Sequence, residues 1–307
     1  MGRRKYFKDR LFISFLILLI SSTICISVEA EGIDTKNASK SGWSLAAYNF
    51  GSLGKLSPEA QIDLLKKTGY KGIILSCETK EDFQNLDKYI EKAEKIKDFK
   101  IEAVFERYNF NDSTTRKDRW MKVVDKISGK GTQLWIIFGK RVEGITDGFI
   151  EEKLREIVSY SALKGVQVVL YPHSKCYIAS AEEALPFIEK IDHPNLKLAV
   201  HLCHEIRAGN GSRMDHVFER VKDRIGAVTL AGTDSVADFS APKLMDSSTI
   251  KPLGQGNYHL YRFLGPLVKS GYKGSVGFIN FKIEEEPENY LDDSMKIWKN
   301  FAKRSKK

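Results

Sequence analysis

Eight short apolar runs, each followed by a longer stretch with helical spacing, limit what this 307-residue chain can become. The runs are Trp43 to Phe50, Gly72 to Cys77, Ile101 to Tyr108, Leu134 to Phe138, Val166 to Tyr171, Leu196 to Cys203, Ala227 to Ala231 and Val276 to Phe281. Most are rich in Val, Ile and Leu without polar alternation, the pattern of parallel strands covered on both faces. Eight such strands favour a closed barrel over a doubly wound sheet, which more often has about five to seven. No Gly-x-Gly-x-x-Gly follows the first run, so a dinucleotide-binding sheet has little support. The expected fold class is α/β, a single (β/α)8 barrel over residues 42–305.

The stretches between the runs carry helix signals. Ser57-Pro58-Glu59 offers a cap, a proline at the first helical position and an early acid. Ser180-Ala181-Glu182-Glu183 has the form of a capping box. Helices are expected over Asp147 to Lys164, Met214 to Lys222, Tyr258 to Ser270 and Pro287 to Arg304, with a bend at Pro266. Lys67-Thr68-Gly69-Tyr70-Lys71-Gly72 is echoed by Lys269-Ser270-Gly271-Tyr272-Lys273-Gly274, and more weakly by Leu163-Lys164-Gly165-Val166. In each a glycine supplies the left-handed turn that ends a helix and opens a strand.

The first thirty residues read as a cleavable signal peptide. Arg3, Arg4, Lys5, Lys8 and Arg10 precede an apolar run from Leu11 to Ile26, and Val28-Glu29-Ala30 supplies small residues for cleavage. The run is short for a span of about 20 apolar residues, so no stable membrane span is expected after cleavage. The mature protein is expected to be exported, periplasmic or extracellular, with residues 31–41 as a flexible linker. Without those thirty residues, which carry five basic and two acidic side chains, the formal charge of +9 falls to +6. Much of the remaining charge is interleaved with acids on helices, as in Glu91 to Lys100, so no nucleic-acid partner is expected. Cys77, Cys176 and Cys203 have no regular spacing and do not describe a disulfide framework.

Several segments together resemble the xylose-isomerase-like TIM-barrel family of sugar and sugar-phosphate isomerases and epimerases. They are Leu64 to Gly72, Leu170-Tyr171-Pro172-His173, His201-Leu202-Cys203-His204, Pro252-Leu253-Gly254-Gln255-Gly256 and Gly271-Tyr272-Lys273-Gly274. The resemblance covers residues 42–302, and its second half is closest to an exported branch. It implies a small carbohydrate substrate and a divalent metal held by Glu, Asp, His and Glu at the strand ends. Such an ion polarises a carbonyl while a carboxylate moves a proton. Those positions fall here on Tyr171, His201, His204 and Asn280, so only the histidine matches. A histidine set of His173, His201 and His204 would suit Zn2+ better than Mg2+ or Mn2+.

The strand ends still gather polar groups, and loops at that face of a barrel converge on one pocket. Glu106, His173 and His204 are the expected catalytic residues. Tyr48, Arg107, Lys140, Tyr171 and Asn280 are the expected substrate-binding residues, with Asn49, Glu78, Arg141 and Asp234 nearby. Lys140 and Arg141 could hold an anionic or hydroxyl-rich ligand. The expected function is an exported isomerase- or epimerase-like enzyme moving a proton next to a sugar carbonyl. A lyase or hydratase acting on an oxidised (keto) sugar or glycoside is the alternative, as is a non-catalytic sugar-binding barrel.

Overall fold

Each turn of the chain is assembled from the same local parts. Ser57 caps helix α1 (Pro58–Lys67) by accepting from Ala60 N at 3.3 Å, and Pro58 fills a position that needs no donor. Thr68 ends that helix and Gly69, at φ +92°, turns the chain into β2 (Gly72–Ser76). Gly165 at +67° and Gly271 at +73° repeat the device before later strands. All three adopt the left-handed backbone that their sequence echo implies.

The computed structural model describes residues 43–304 apart from 114, 115 and 117. The signal-peptide and linker segments lie outside the described residues. Besides β2, the strands are β1 (Leu45–Tyr48), β3 (Lys100–Tyr108), β4 (Gln133–Phe138), β5 (Val168–Leu170), β6 (Leu196–His201), β7 (Ile225–Leu230) and β8 (Val276–Phe278). All pairings are parallel and in sequence order, and β8 closes on β1 with Ala46 opposite Gly277. Gly277 is required by packing: a Cβ there would lie 2.7 Å from Ile74 Cδ1 and 2.9 Å from Thr229 Cγ2. The fold is a single (β/α)8 barrel.

Around it run α1, α2 (Lys80–Glu94), α3 (Arg119–Ile127), α4 (Asp147–Leu163), α5 (Ala181–Ile191), α6 (Leu202–Arg207), α7 (Met214–Val221), α8 (Pro242–Thr249), α9 (Tyr261–Lys269) and α10 (Pro287–Arg304). Two of these depart from the sequence reading. The run Leu196 to Cys203 divides, with the strand stopping at His201 and α6 starting at Leu202. A short buried apolar run does not distinguish strand from helix, and Leu202 to Ile206 is buried throughout. Helix α8 interrupts the long β7–β8 connection and was not expected. The capping box also moves. Ser180 accepts from Glu183 N at 3.3 Å, but Glu183 reaches back to Ala179 N instead of the cap. Thr79 and Asp82 form the reciprocal box, at 3.0 and 2.8 Å.

No helix among the described residues is long and apolar enough to cross a membrane. Trp135 is buried inside the barrel, and Trp43 packs at its base with Nε1 donating to Tyr272 O at 2.9 Å.

Candidate active site

A cavity of about 730 Å3 opens at the C-terminal ends of the strands. Its walls include Arg107, Lys140, Tyr171, His173 and His204, five of the residues expected to act on substrate. Phe50, Phe105, Ile279 and Phe281 give it an apolar side.

The two histidines are set by one peptide. His173 Nδ1 lies 2.9 Å from Ser174 O, and Ser174 N lies 3.4 Å from His204 Nδ1. A carbonyl only accepts and a backbone N–H only donates. Ser174 therefore assigns opposite tautomers to the two neutral rings. His173 carries its proton on Nδ1 and keeps a lone pair on Nε2, whereas His204 carries its proton on Nε2. The ring centroids are 4.2 Å apart, and His204 Nε2 is buried without a hydrogen-bond partner. Burial lowers both ring pKa values, that of His173 to about 3, with neighbouring positive charge adding to the effect. Both imidazoles are neutral near pH 7.

Ser174 can do this because the chain turns sharply after β5. Cys176 N donates to His173 O at 3.0 Å, and Lys175 sits between them in left-handed backbone at φ +67°. The turn brings Cys176 Sγ within 3.5 Å of His173 Nδ1. Arg107 donates to the same sulfur through Nη1 at 2.9 Å and to Glu78 Oε1 through Nε at 2.5 Å. Burial nevertheless raises the Cys176 thiol pKa, against the pull of Arg107. The sequence reading gave Cys176 no role in the site. Its position three residues after His173 is the signal that could have placed it here.

Beneath the cavity lies an aromatic floor. Tyr171 stacks on His201 with centroids 3.7 Å apart, and its hydroxyl accepts from Tyr48 at 3.2 Å. His201 is buried, with Nδ1 hydrogen-bonded to Thr229 Oγ1 and Nε2 unpartnered. Tyr48 and His201 thus support the site from below. Tyr48 was expected to bind substrate; it is fully buried and does not reach the cavity.

Two further expectations need correction. Glu106 does not enter the cavity. Phe105 and Arg107 face inward, so Glu106 between them points outward to the helices. There Arg119 donates to it at 2.7 and 3.0 Å and Arg116 at 2.9 Å. Burial raises its pKa while both guanidiniums oppose that shift. Glu106 ties β3 to the helical layer. Asn280 is turned away in the same manner, between the cavity-facing Ile279 and Phe281. Its amide donates to Phe50 O at 3.1 Å and Tyr290 Oη at 2.8 Å, fixing the end of β8. Asp234 pairs with Lys251 at 2.7 Å away from this cavity. The carboxylates on the wall are instead Glu78, held by Arg107, and Asp246, held by Arg207 at 3.1 Å and Lys282 at 2.9 Å.

The metal implied by the family resemblance does not fit these residues. Among the described residues no three His, Cys, Asp or Glu side chains converge as a metal site. Of the trio His173, His201 and His204, considered above as possible ligands, only His173 offers the cavity a lone pair, on Nε2. His204 accepts from Ser174 N through Nδ1 and so carries its proton on Nε2, and His201 lies beneath Tyr171, outside the cavity wall. Tyr171 stands at one expected carboxylate position and Asn280 at another. The carboxylates that do line the cavity, Glu78 and Asp246, are paired with Arg107, Arg207 and Lys282 and are not free to offset dehydration of a hard cation.

With this geometry in view, comparison with known proteins is informative. The xylose isomerase-like TIM barrel family model matches residues 131–301, more than half of the chain. The chain belongs to that family. A probable 3-DHS dehydratase involved in petrobactin synthesis from Bacillus anthracis superposes with a TM-score of 0.67 at 14% identity, over 84% of this chain and 99% of that one. A 3-keto-D-glucoside 4-epimerase from E. coli gives 0.63 at 14% identity, over 84% and 99%. A D-allulose 3-epimerase from Methylomonas sp. gives 0.61 at 13%, over 84% and 98%. Identities this low carry the fold alone. No curated protein matches the sequence significantly.

Proposed function

We propose that this protein is an exported isomerase- or epimerase-like enzyme that moves a proton beside the carbonyl of a small carbohydrate. The observation that carries the proposal is the pair of opposite tautomers fixed by Ser174. His173 Nε2 can accept a proton from the carbon next to a carbonyl, and the Ser174 carbonyl then steadies the imidazolium through Nδ1–H. His204 Nε2–H is the donor for the carbonyl oxygen as negative charge develops there. Return of the proton from His173 to the adjacent carbon gives an isomer; delivery of a solvent proton to the opposite face of the same carbon, with His173 giving its own to solvent, gives an epimer. Names of barrels with the same fold, two epimerases among them, agree with this chemistry.

A second reading has one observation in its favour. Both wall carboxylates are already engaged by cations, which suits a barrel that binds sugar without turnover. Incubation with a panel of aldoses, ketoses and keto-sugars in D2O separates the two. Deuterium should enter the C–H beside the carbonyl, and His173→Ala and His204→Ala should each abolish the exchange. Saturable binding with no exchange across the panel would establish the binding barrel instead. Release of a leaving group with an unsaturated product would establish a lyase.

A further inference from the structure

The cavity wall carries more positive charge than its own acids can balance. Five cations line it, Arg107, Lys140, Arg141, Lys175 and Arg207, against the carboxylates Glu78 and Asp246. Those two carboxylates are consumed locally, by Arg107 on one side and by Arg207 with Lys282 on the other. Among the described residues, Lys140, Arg141 and Lys175 have no acidic partner within ion-pair distance. They follow β4 and β5, so they occupy one sector of the rim.

One of the three is held in place, and a second sits on constrained backbone. The Arg141 guanidinium lies 4.2 Å from the Tyr177 ring centroid, and Tyr177 Oη is anchored on Asp147 at 2.8 Å. Lys175 occupies left-handed backbone, a conformation that glycine or asparagine would adopt at lower cost. A side chain kept at an unfavourable position on the mouth of a cavity points to a use for its ammonium group. The opposite sector, formed by Phe50, Ile279, Phe281, Met245 and Ile250, is apolar. The cavity therefore has a cationic side and an apolar side.

We infer that the molecule bound here is a sugar acid, its anionic group received by Lys140, Arg141 and Lys175 and its ring lying against Phe50 and Phe281. This rests on the reading of the mouth as a carbohydrate site and adds the substrate's charge. An anion there also offsets the positive field of Arg107 on His173, which strengthens that ring as a base.

Calorimetric titration of the mature protein with D-glucuronate, D-glucose 6-phosphate and D-glucose tests the inference, with Lys140→Gln/Lys175→Gln alongside. Glucuronate should bind about tenfold more tightly than glucose, the effect of two partly exposed charge contacts together. The double variant should erase that preference, and added salt should weaken only the anionic ligands. Tighter binding of the phosphate than of the carboxylate would replace the sugar acid by a phosphorylated sugar. Glucose binding as tightly as glucuronate, or a preference that survives the double variant, would overturn the inference. Saturable binding by neither anion would do the same. Anion preference without deuterium exchange would keep the inference and remove the proton-transfer reading. Exchange into a neutral sugar, with no preference for either anion, would do the reverse.

Discussion

Glu106, on β3, and His204, on the helix that follows β6, are both 2% exposed and have opposite relations to their surroundings. Glu106 receives three hydrogen bonds from two arginines and has no open valence toward the cavity. His204 has one long hydrogen bond on Nδ1 and none on Nε2, which is buried beside an open cavity. Burial and charge type do not separate structural from functional polar groups here. Unmet hydrogen-bonding capacity facing a cavity does, because such a group costs stability that a bound partner would recover.

The comparison is broken or sharpened most directly by exchanging the readouts. His204→Ala should lower kcat/KM by about 10^2- to 10^4-fold, the range for loss of a positioned proton donor, with the protein still folded. Glu106→Gln should act on stability instead. Removing one partner of a buried ion network leaves Arg119 uncompensated and Arg116 with only Asp112, at 3.9 Å, at a cost of about 3–5 kcal/mol in urea unfolding. The molecules that remain folded should keep their activity. Loss of activity in a stably folded Glu106→Gln protein would return Glu106 to the catalytic set.

Why the sequence misplaced Glu106 and Asn280 follows from the barrel itself. A strand covered on both faces shows no alternation of apolar and polar residues, so nothing marks which residues face inward. In β3 the inner set is Phe105 and Arg107, and after β8 it is Ile279 and Phe281; each misplaced residue is the one between. The eight strands were readable because their apolar runs are separated by capped helices and left-handed glycines. His173 and His204 were readable as strand-end polar groups, but the peptide of Ser174 that sets their tautomers has no signature in residue type. Cys176, Lys175 and the Arg207–Asp246 pair enter the site through turns and through α6 and α8, which periodicity did not reveal.

A smaller effect is expected in the dependence of stability on pH. His173, His201 and His204 all have lowered pKa values in the folded chain, against an ordinary value of 6.5. Below about pH 6.5 the unfolded chain takes up protons that the native rings refuse, so stability falls as the pH falls, for His173 down to about 3. Each such site contributes at most about 1.4 kcal/mol per pH unit. Glu205 has the opposite sign. Burial raises it from 4.5 to about 7, so the native state holds a proton that the unfolded state loses, and its contribution declines as pH rises through that window. The three histidines outnumber Glu205 and Glu106, whose pKa burial also raises, so the urea midpoint should rise from about pH 5 to 7, and Glu205→Gln should steepen the rise. A flat profile would contradict the neutral imidazoles.

The smallest change is expected at Tyr48, where the contrast between supporting and acting residues is finest. Its hydroxyl touches the cavity-lining Tyr171 at 3.2 Å, yet the residue itself is sealed below the floor among Phe50, Phe105 and Trp135. Burial raises its pKa well above the ordinary tyrosine value, so it stays protonated throughout the accessible range. Tyr48→Phe keeps the ring and its packing and removes one neutral hydrogen bond, a loss of about 0.5–1.5 kcal/mol. Tyr171 would retain its stack on His201, which fixes the ring plane independently of the hydroxyl. Substrate affinity should therefore change by less than about twofold, since no group on the wall moves. A large rise in KM with unchanged thermal stability would show that the Tyr48 hydroxyl reaches substrate, and that the floor opens when the site is filled.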